Sequence, residues 1–240
     1  MTVDRPRLLR ELGLWPSWRL RRVPSDSAVP VVAAVPVPPA VEQLGAPSVP
    51  VAAELDWDEL ADAVAGCRRC GLCEARRQAV LGVGDRKADW LFVGEGPGAE
   101  EDARGEPFVG QAGKLLDSML AAIGLKRGED VYIANAVKCR PPGNRTPSPE
   151  ETGACRPWLE RQIDLLRPRL IVALGRPAAQ TLLQAEVKIG SARGRLHEYR
   201  GIPVVVTYHP AYLLRNLPDK ALAWQDLCFM RGAMEAEKPR

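Results

Sequence analysis

A glycine-rich stretch crowded with carboxylates raises the first chemical question in this sequence. Residues 93–117 read VGEGPGAEEDARGEPFVGQAGKLLD. A glycine turn after an apolar run commonly holds phosphate on backbone N–H groups, but the acidic side chains here would repel an anion. The stretch also lacks the lysine and the serine or threonine of a P-loop. It therefore argues against a phosphate-transferring nucleotide enzyme, which the glycines alone would suggest.

The cysteines are the second set of residues with chemical potential. Five of the six fall into two groups, which are Cys67, Cys70 and Cys73, and farther along Cys139 and Cys155. Four thiolates can hold zinc or an iron–sulfur cluster, and the spacing does not choose between them; unliganded buried thiols are a third interpretation. Because there are five candidates for four places, one of the first three is expected to be spare. Cys228, near the end of the chain, is expected to be a core residue.

The elements that must position these residues alternate between apolar runs and helical segments. Strands are predicted at 89–95, 130–139, 170–175 and 202–210, and helices at 55–67, 113–125, 149–166, 176–184 and 219–234. This alternation predicts a parallel sheet covered by helices on both faces. Ligands of such folds bind beyond the carboxyl ends of the strands. We therefore expect the glycine loop, the segment around Asn135 and the segment around His209 to meet at one cleft.

Composition places the chain among globular proteins. It has 240 residues, a net charge of +3 and 46% hydrophobic residues. The first residues lack the apolar core of a signal peptide, and the uncharged stretch 28–41 is broken by prolines and too short to span a bilayer. These features predict a cytoplasmic protein, in which cysteines serve metal binding or catalysis before disulfides.

Several motifs together resemble the family 4 uracil-DNA glycosylases, the iron–sulfur branch of that superfamily. They are C-x2-C-x-L-C-x2-R, the glycine-rich stretch, NAVKCRPPGNRTP followed by a cysteine, LIVALG and YHPAYLLR, in order over residues 55–231. The resemblance implies a three-layer α/β/α sandwich with a central four-stranded parallel sheet. It also implies base excision repair, in which the bond between uracil and deoxyribose is hydrolysed, and a monomer that acts on single- or double-stranded DNA near the nucleoid.

The resemblance further implies a [4Fe–4S] cluster. Its ligands would be Cys67, Cys70, Cys139 and Cys155, which leaves Cys73 as the spare thiol. The cluster is expected to be structural, because it would tie the helix before the first strand to the loop after the second.

Uracil is flat and neutral, and it must leave the base stack before its bond is cut. Glycines allow such a base to approach the backbone closely, so the loop suits a nucleobase better than a phosphate. By resemblance, Phe108 stacks on the ring, a contact worth on the order of 1–3 kcal/mol. Asn135 binds the uracil edge through its amide. His209 donates to uracil O2 as negative charge develops there, whereas His197 is expected to be a surface residue.

The carboxylate that orients the attacking water is expected to lie in the acidic run. Other branches of the superfamily carry an aspartate at the position of Gly96, and in family 4 this duty passes to a carboxylate farther along. We assign it to Glu101, with Asp102 as the second choice. Glu95 and Gly96 are expected to shape the pocket floor. Glu100 needs no explanation beyond a solvated helix N-terminus.

Contacts to DNA are expected from loops around the cleft. Leu213 and Leu214 are predicted to wedge into the gap left by the flipped nucleotide. The predicted phosphate contacts are Arg215, Lys138, Arg140 and Arg145. Phosphate contacts make affinity depend on salt without reading sequence.

The remaining chain divides into a peptide at 1–22 and a Pro/Ala/Val-rich, disordered linker at 23–54, ahead of the enzyme domain at 55–240. Residues 9–22 resemble the N-terminal peptide of the psi subunit of the bacterial clamp loader. We expect Leu12, Leu14 and Trp18 to dock on a replication protein, which would raise the local concentration of the enzyme at new DNA; the alternative is an undirected tail. For the whole chain, the alternative function is a non-catalytic iron–sulfur DNA-binding or redox module on the same fold.

Overall fold

The computed structural model of the chain describes residues 52–236. The predicted docking residues Leu12, Leu14 and Trp18 lie outside this range, as does the linker up to residue 51. A single 3₁₀ turn, Ala52–Glu54, occupies the last three positions of the predicted linker. Among the helices of the described part of the chain, none has both the length and the apolar character needed to cross a membrane.

A six-stranded mixed sheet forms the centre of the domain. Its strands are β1 (Val83–Gly84), β2 (Trp90–Gly94), β3 (Val131–Asn135), β4 (Leu170–Leu174), β5 (Leu196–Tyr199) and β6 (Ile202–Thr207). The order across the sheet is β1-β3-β2-β4-β6-β5. The neighbours among β3, β2, β4 and β6 run parallel, whereas β1 and β5 are antiparallel edge strands. The four central strands are parallel, as expected, but two antiparallel edge strands extend the sheet, so it is six-stranded and mixed and not the four-stranded parallel sheet predicted.

Helices cover both faces of this sheet. Residues 52–236 form α1 (Trp57–Ala65), α2 (Leu72–Ala75), α3 (Ala99–Arg104), α4 (Gln111–Ala122), α5 (Pro149–Leu166), α6 (Arg176–Leu183), α7 (Ile189–Ala192), α8 (Pro210–Leu213) and α9 (Lys220–Ala236). Alternate residues of each strand point to opposite faces. In β2, Leu91 and Val93 pack with α5 and α6, whereas Trp90 and Phe92 pack with α4 and α9. The observed class is α/β with helices on both sides of the sheet.

A separate apolar cluster attaches the cysteine-bearing segments. Leu60 and Val64 from α1 pack there with Val137, which follows β3, and with Trp158 of α5. Helix α1 begins with a capping box, in which the Asp56 carboxylate accepts from backbone N–H groups of the first turn and Glu59 accepts from the Asp56 N–H. Such a box satisfies backbone donors that a helix start leaves unpaired.

Strand register brings the loops after β2, β3, β4 and β6 to one edge. Gly94 pairs with Asn135, so β2 and β3 end side by side. At the ends of β4 and β6, Leu174 pairs with Thr207, and the Gly175 N–H donates to the Thr207 carbonyl at 2.8 Å.

The loop before α4 reverses direction at Phe108, whose φ of 55° lies in the left-handed region. Gly113 faces this reversal directly, since a Cβ at Gly113 would lie 1.7 Å from the Phe108 carbonyl oxygen. The missing side chain at Gly113 therefore lets the loop fold back onto the first turn of α4.

We predict that Gly113→Ala destabilises the folded domain by about 1–3 kcal/mol, the usual cost of overpacking. Thermal unfolding measures this, with a fall in Tm of roughly 2–4 °C per kcal/mol for a domain of this size. Gly232→Ala is the matched control. It lies in α9, where an added Cβ meets nothing within 4 Å, so the Tm should stay or rise. Equal Tm values for the two variants would contradict this account of the loop.

Candidate active site

A cavity of about 810 Å³ opens where the parallel strands end. It brings together many of the residues predicted from sequence, namely Glu95, Gly96, Glu101, Phe108, Asn135, Arg145, His209 and Arg215. These residues follow β2, β3 and β6, as expected of a site at the carboxyl edge of a parallel sheet.

Phe108 and His209 form an aromatic wall of the cavity. Their ring centroids are 5.5 Å apart and their planes are inclined by 32°. The Phe108 loop is held by Arg127, which donates to the carbonyls of Pro107 (2.9 Å) and Phe108 (2.8 Å) and pairs with Asp117 at 2.9 Å. Arg127 was not predicted to belong to the site, because nothing in the sequence around it indicates a partner that far away along the chain.

Glu101 holds the two ends of the glycine-rich loop together. Its carboxylate accepts from the N–H groups of Gly98 (3.1 Å), Val109 (2.9 Å) and Gly110 (3.1 Å). A carboxylate offers about four acceptor positions, so one remains for a further donor in the cavity. Asp102 is buried elsewhere, with its Oδ1 accepting from the Arg77 N–H at 2.9 Å. This contact favours Glu101 over Asp102 as the carboxylate of the site.

The Asn135 amide carries an unused hydrogen-bonding atom. The residue is 2% exposed, and its Oδ1 has no hydrogen-bond partner within residues 52–236. Leaving such an acceptor buried costs about 1–3 kcal/mol. Gly94 makes room for it, because a Cβ there would lie 2.4 Å from Asn135 Oδ1 and 2.6 Å from Phe108 Cζ. Sequence analysis did not single out Gly94, although it is the first glycine of the motif.

His209 is held in one tautomer. It caps the N-terminus of α8, and its Nδ1 accepts from the Ala211 N–H at 3.1 Å. A backbone N–H can only donate, so the proton of the neutral ring lies on Nε2. Burial lowers the pKa of His209 to about 4, assisted by the charge of Arg215 and opposed by that of Glu101. Near pH 7 the ring is therefore a neutral N–H donor that lines the cavity.

The five clustered cysteines surround a second, smaller cavity. It is lined by Cys67, Cys70, Cys73, Cys139 and Cys155. Two of them already accept hydrogen bonds, since Arg76 Nη1 donates to Cys139 Sγ at 2.9 Å and the Lys138 N–H donates to Cys155 Sγ at 3.2 Å. Burial raises the pKa of the Cys155 thiol to about 12. Over the described residues, no three metal-ligating side chains converge closely enough to form a site for one ion.

A family model described as the uracil DNA glycosylase superfamily matches residues 81–228. The chain belongs to this superfamily. It is 48% identical to the type-4 uracil-DNA glycosylase of Archaeoglobus fulgidus over 65% of this chain and 82% of the relative. Identity to the type-4 uracil-DNA glycosylase of Pyrobaculum aerophilum is 43%, over 74% of this chain and 94% of the relative. For the type-4 enzyme of Thermotoga maritima the values are 47%, 65% and 82%. The family assigned from the motifs is confirmed.

Two of the residues that were predicted to contact DNA are buried. Lys138 is 1% exposed, and its ammonium donates to the Asn135 carbonyl and to Gln162 Oε1. Leu213, the last residue of the short helix α8, is 1% exposed and packs into the core. Leu213 therefore cannot wedge into DNA, and Lys138 cannot reach a phosphate, without leaving these places. The next residue after Leu213, Leu214, is 41% exposed.

The predicted arginines occupy different settings. Arg215 lines the cavity. Arg145 also lines it but is paired with the carboxylate of Glu151 at 2.8 and 2.6 Å. Arg140 donates to Asn144 Oδ1 at 2.7 Å.

The cavity also contains residues that were not predicted from the sequence, among them one arginine and two tyrosines. Arg176 lies directly after the end of β4, a position that the strand pattern alone marks as part of the site. Tyr208 and Tyr212 also line the cavity, and their rings stack with centroids 5.2 Å apart and planes inclined by 10°. Both tyrosines were inside the quoted YHPAY motif, in which only the histidine was assigned a role.

Two predictions about single residues are settled by burial. Cys228 was expected in the core and is exposed, so this prediction was wrong. The last helix turns the side of Leu227 and Met230 inward, which places Cys228 on the opposite side. His197 was expected at the surface and is only partly exposed. It lies on edge strand β5, where its Nε2 is 2.8 Å from the Ala192 carbonyl oxygen.

We predict that His209 remains neutral from pH 8 down to about pH 5. In the unfolded chain its pKa is near the ordinary 6.5, whereas in the folded chain it is about 4. Its contribution to the free energy of unfolding is therefore complete above pH 6.5 and is lost as the pH falls toward 4. The imidazole NMR signals report this directly, with His209→Gln identifying the resonance. A midpoint near 6.5 in the folded protein would contradict the burial argument.

Proposed function

We propose that this chain is a DNA repair glycosylase, which hydrolyses the N-glycosidic bond of uracil in DNA after base flipping and leaves an abasic site. One observation supports this proposal more strongly than the others. Among the residues that the structure describes, none donates to the buried Asn135 Oδ1, which lies beside the ring of Phe108 and the neutral imidazole of His209. A flat base with an N–H on its edge supplies what this arrangement lacks. The names of the type-4 relatives support the same activity.

Recognition of uracil rests on the amide of Asn135. Its Oδ1 accepts from uracil N3–H while its Nδ2 donates to O4. Cytosine presents the reversed pattern, an acceptor at N3 and a donor at C4, so it meets this amide with mismatched groups. Phe108 stacks on the ring, and Gly94 and Gly96 keep the floor low enough for the base to lie on it.

Departure of the base rests on His209. As the bond to the sugar breaks, negative charge grows on uracil, and the Nε2–H donates to O2. A donor that is aimed in advance and needs no reorganisation stabilises such charge strongly in a site from which water is excluded. The Ala211 N–H on Nδ1 keeps the ring in the required tautomer throughout.

Glu101 acts both on the attacking water and on the positive charge of the sugar. The acceptor position left free by its three backbone contacts holds a proton of the attacking water. The transition state carries positive charge on the sugar, and the carboxylate opposes this charge at the same time. Its backbone contacts also fix the loop that carries Phe108.

Leu214 and three arginines in and around the cavity meet the DNA beyond the flipped base. Leu214 is the apolar residue that fills the gap left by the flipped nucleotide, and Arg215, Arg145 and Arg140 contact phosphates. The enzyme acts as a monomer on chromosomal DNA in the cytoplasm, associated with the nucleoid.

We further infer that the second cavity holds a [4Fe–4S] cluster on Cys67, Cys70, Cys139 and Cys155. An all-thiol donor set around one cavity fits such a cluster, since iron–sulfur centres take cysteine thiolates. Arg76 and the Lys138 N–H, which already donate to two of these sulfurs, fit an anionic group there. Cys73 also borders the cavity, and it stays outside the proposed ligand set. When bound, the cluster supplies a cross-link between the α1–α2 region and the segment after β3.

The activity is tested with an oligonucleotide that contains a single uracil, followed by alkali to cut abasic sites. We expect scission at uracil with no nucleotide or added metal ion, and loss of nearly all of it in Asn135→Ala. His209→Ala should lower kcat about 10²–10³-fold, the range found for removing one oxyanion donor. Of the two histidines in the chain, the other gives the control, and His197→Ala should cut at the wild-type rate.

Binding of the oligonucleotide without scission would contradict the proposal. In an iron-replete preparation, that result would favour a non-catalytic DNA-binding module.

The N-terminal peptide is proposed to bind a replication protein through Leu12, Leu14 and Trp18, with the linker setting the reach. A pull-down from cell extract compares the full chain with Trp18→Ala. We expect replication proteins to be captured by the full chain and lost in the variant, with uracil excision unchanged. Equal capture by both chains would remove this proposal.

A further inference from the structure

Lys138 is a buried cation that lies between the two cavities. It is among the largest fully buried side chains of the described domain. An ammonium has three donors and no acceptor, and burying it is costly unless these donors are used. Its Nζ donates to the main-chain carbonyl of Asn135 at 2.8 Å and to the side-chain oxygen of Gln162. The ammonium therefore holds the residue whose amide is proposed to bind uracil.

Gln162, on α5, is itself fixed from two other directions. Its Nε2 donates to the Leu81 carbonyl at 3.0 Å and to the Tyr132 hydroxyl at 3.2 Å. Every polar atom of the Gln162 amide is thus engaged. The position of the ammonium is set by α5, by β3 and by the segment before β1 together, which leaves little freedom for the end of β3.

The main chain of Lys138 reaches the other cavity. Its N–H donates to Cys155 Sγ at 3.2 Å, and the next residue, Cys139, lines the same cavity. Cys155 and Gln162 lie seven residues apart on α5, a spacing that places both on one face of a helix. One helix face therefore contacts Lys138 twice, at its backbone through a cysteine and at its ammonium through a glutamine.

We propose that Lys138 and Gln162 are positioning residues that couple the cysteine site to recognition of the base. Closing the cysteines around a cluster fixes Cys155 and the Lys138 backbone, and the ammonium passes this constraint to the Asn135 main chain. Gln162 keeps the ammonium in place. The inference rests on the proposed function, and it replaces the phosphate contact predicted for Lys138 from sequence.

The test compares Lys138→Met, Gln162→Leu and the double variant in the full-length, iron-containing protein. Affinity is measured for an oligonucleotide with 2′-fluoro-2′-deoxyuridine, which resists cleavage, and for the same oligonucleotide with thymine. Each single variant should weaken binding of the uracil oligonucleotide at least about 5-fold and leave the thymine oligonucleotide unaffected. Because both residues act through one chain of contacts, the double variant should be no weaker than the weaker-binding single variant.

A second measurement does not depend on DNA. Release of iron to a chelator is followed by the loss of absorbance near 400 nm, and we expect it to be several-fold faster in Lys138→Met. Gln162→Glu keeps an acceptor facing the ammonium but loses the donor to the Leu81 carbonyl, so it should retain part of the uracil affinity and of the iron that Gln162→Leu loses. Val187→Ala is the control for general loosening, since Val187 is a core residue that lines neither the active-site cavity nor the cysteine cavity.

The outcomes separate the two claims. Equal affinity of the wild type for both oligonucleotides would contradict the proposed function itself. A wild-type preference for uracil that survives in Lys138→Met and in Gln162→Leu would overturn the coupling, as would effects that simply add or that match those of Val187→Ala. If circular dichroism shows that Lys138→Met does not fold, the coupling is tested by comparing Gln162→Leu with Gln162→Glu. Equal uracil affinity and equal iron release in these two variants would then overturn it.

Discussion

The pairing of β2 with β3 is the constraint on which the site depends. It sets Gly94 beside Asn135, and because Gly94 has no side chain, the amide and the Phe108 ring can both approach the same point. A slip of this pairing by one residue would turn Asn135 to the other face of the sheet. The many buried apolar residues of β2 and β3 hold the register, so the packing of the core determines where the polar amide lies.

Given that register, the remaining parts of the site are held by contacts from outside the strands. Phe108 adopts a left-handed backbone conformation, which costs a non-glycine residue of order 1–3 kcal/mol. Arg127 on one side and Glu101 on the other bind the backbone next to it, and their hydrogen bonds, each charge-assisted, offset this cost. A loop fixed in this way has its aromatic ring in place before a base arrives, so little ordering entropy is lost on binding.

The amino-acid pattern predicted the parts of the fold that have continuous apolar runs. The strands β2, β3, β4 and β6 are of this kind, and so they were found. Strand β1 has two residues and β5 reads LHEY, with exposed and partly buried positions alternating up to Tyr199. Neither carries a signal that separates an edge strand from a loop. The chemistry of the site was predictable because Asn135 ends a strand and His209 lies just after one.

The sequence could not show which way a side chain points in the folded domain. Lys138 and Leu213 were assigned to DNA because one is charged and the other stands in a loop motif. Their side chains point inward for reasons that lie far along the chain, since Gln162 accepts from Lys138 and the core around α8 takes up Leu213. Arg127 was missed for the same reason, because it meets the Phe108 loop only in the folded chain.

Two of the carboxylates that seemed out of place beside DNA, Glu101 and Asp102, accept hydrogen bonds within the protein. Glu101 faces three backbone N–H groups, and Asp102 accepts from the backbone at Arg77. Asp102 is buried and Glu101 is partly buried, and the backbone N–H dipoles that each accepts from oppose its negative charge. The glycines and the acids therefore differ in what they do, since Gly94 leaves room beside Asn135 and Phe108, whereas Glu101 fixes the loop that carries Phe108. Arg176 and Arg215 line the same cavity and bring positive charge to it. A cavity that combines a hydrogen-bonded carboxylate with two arginines suits a base hydrolase, because its ligand is neutral at the base and anionic at the flanking phosphates.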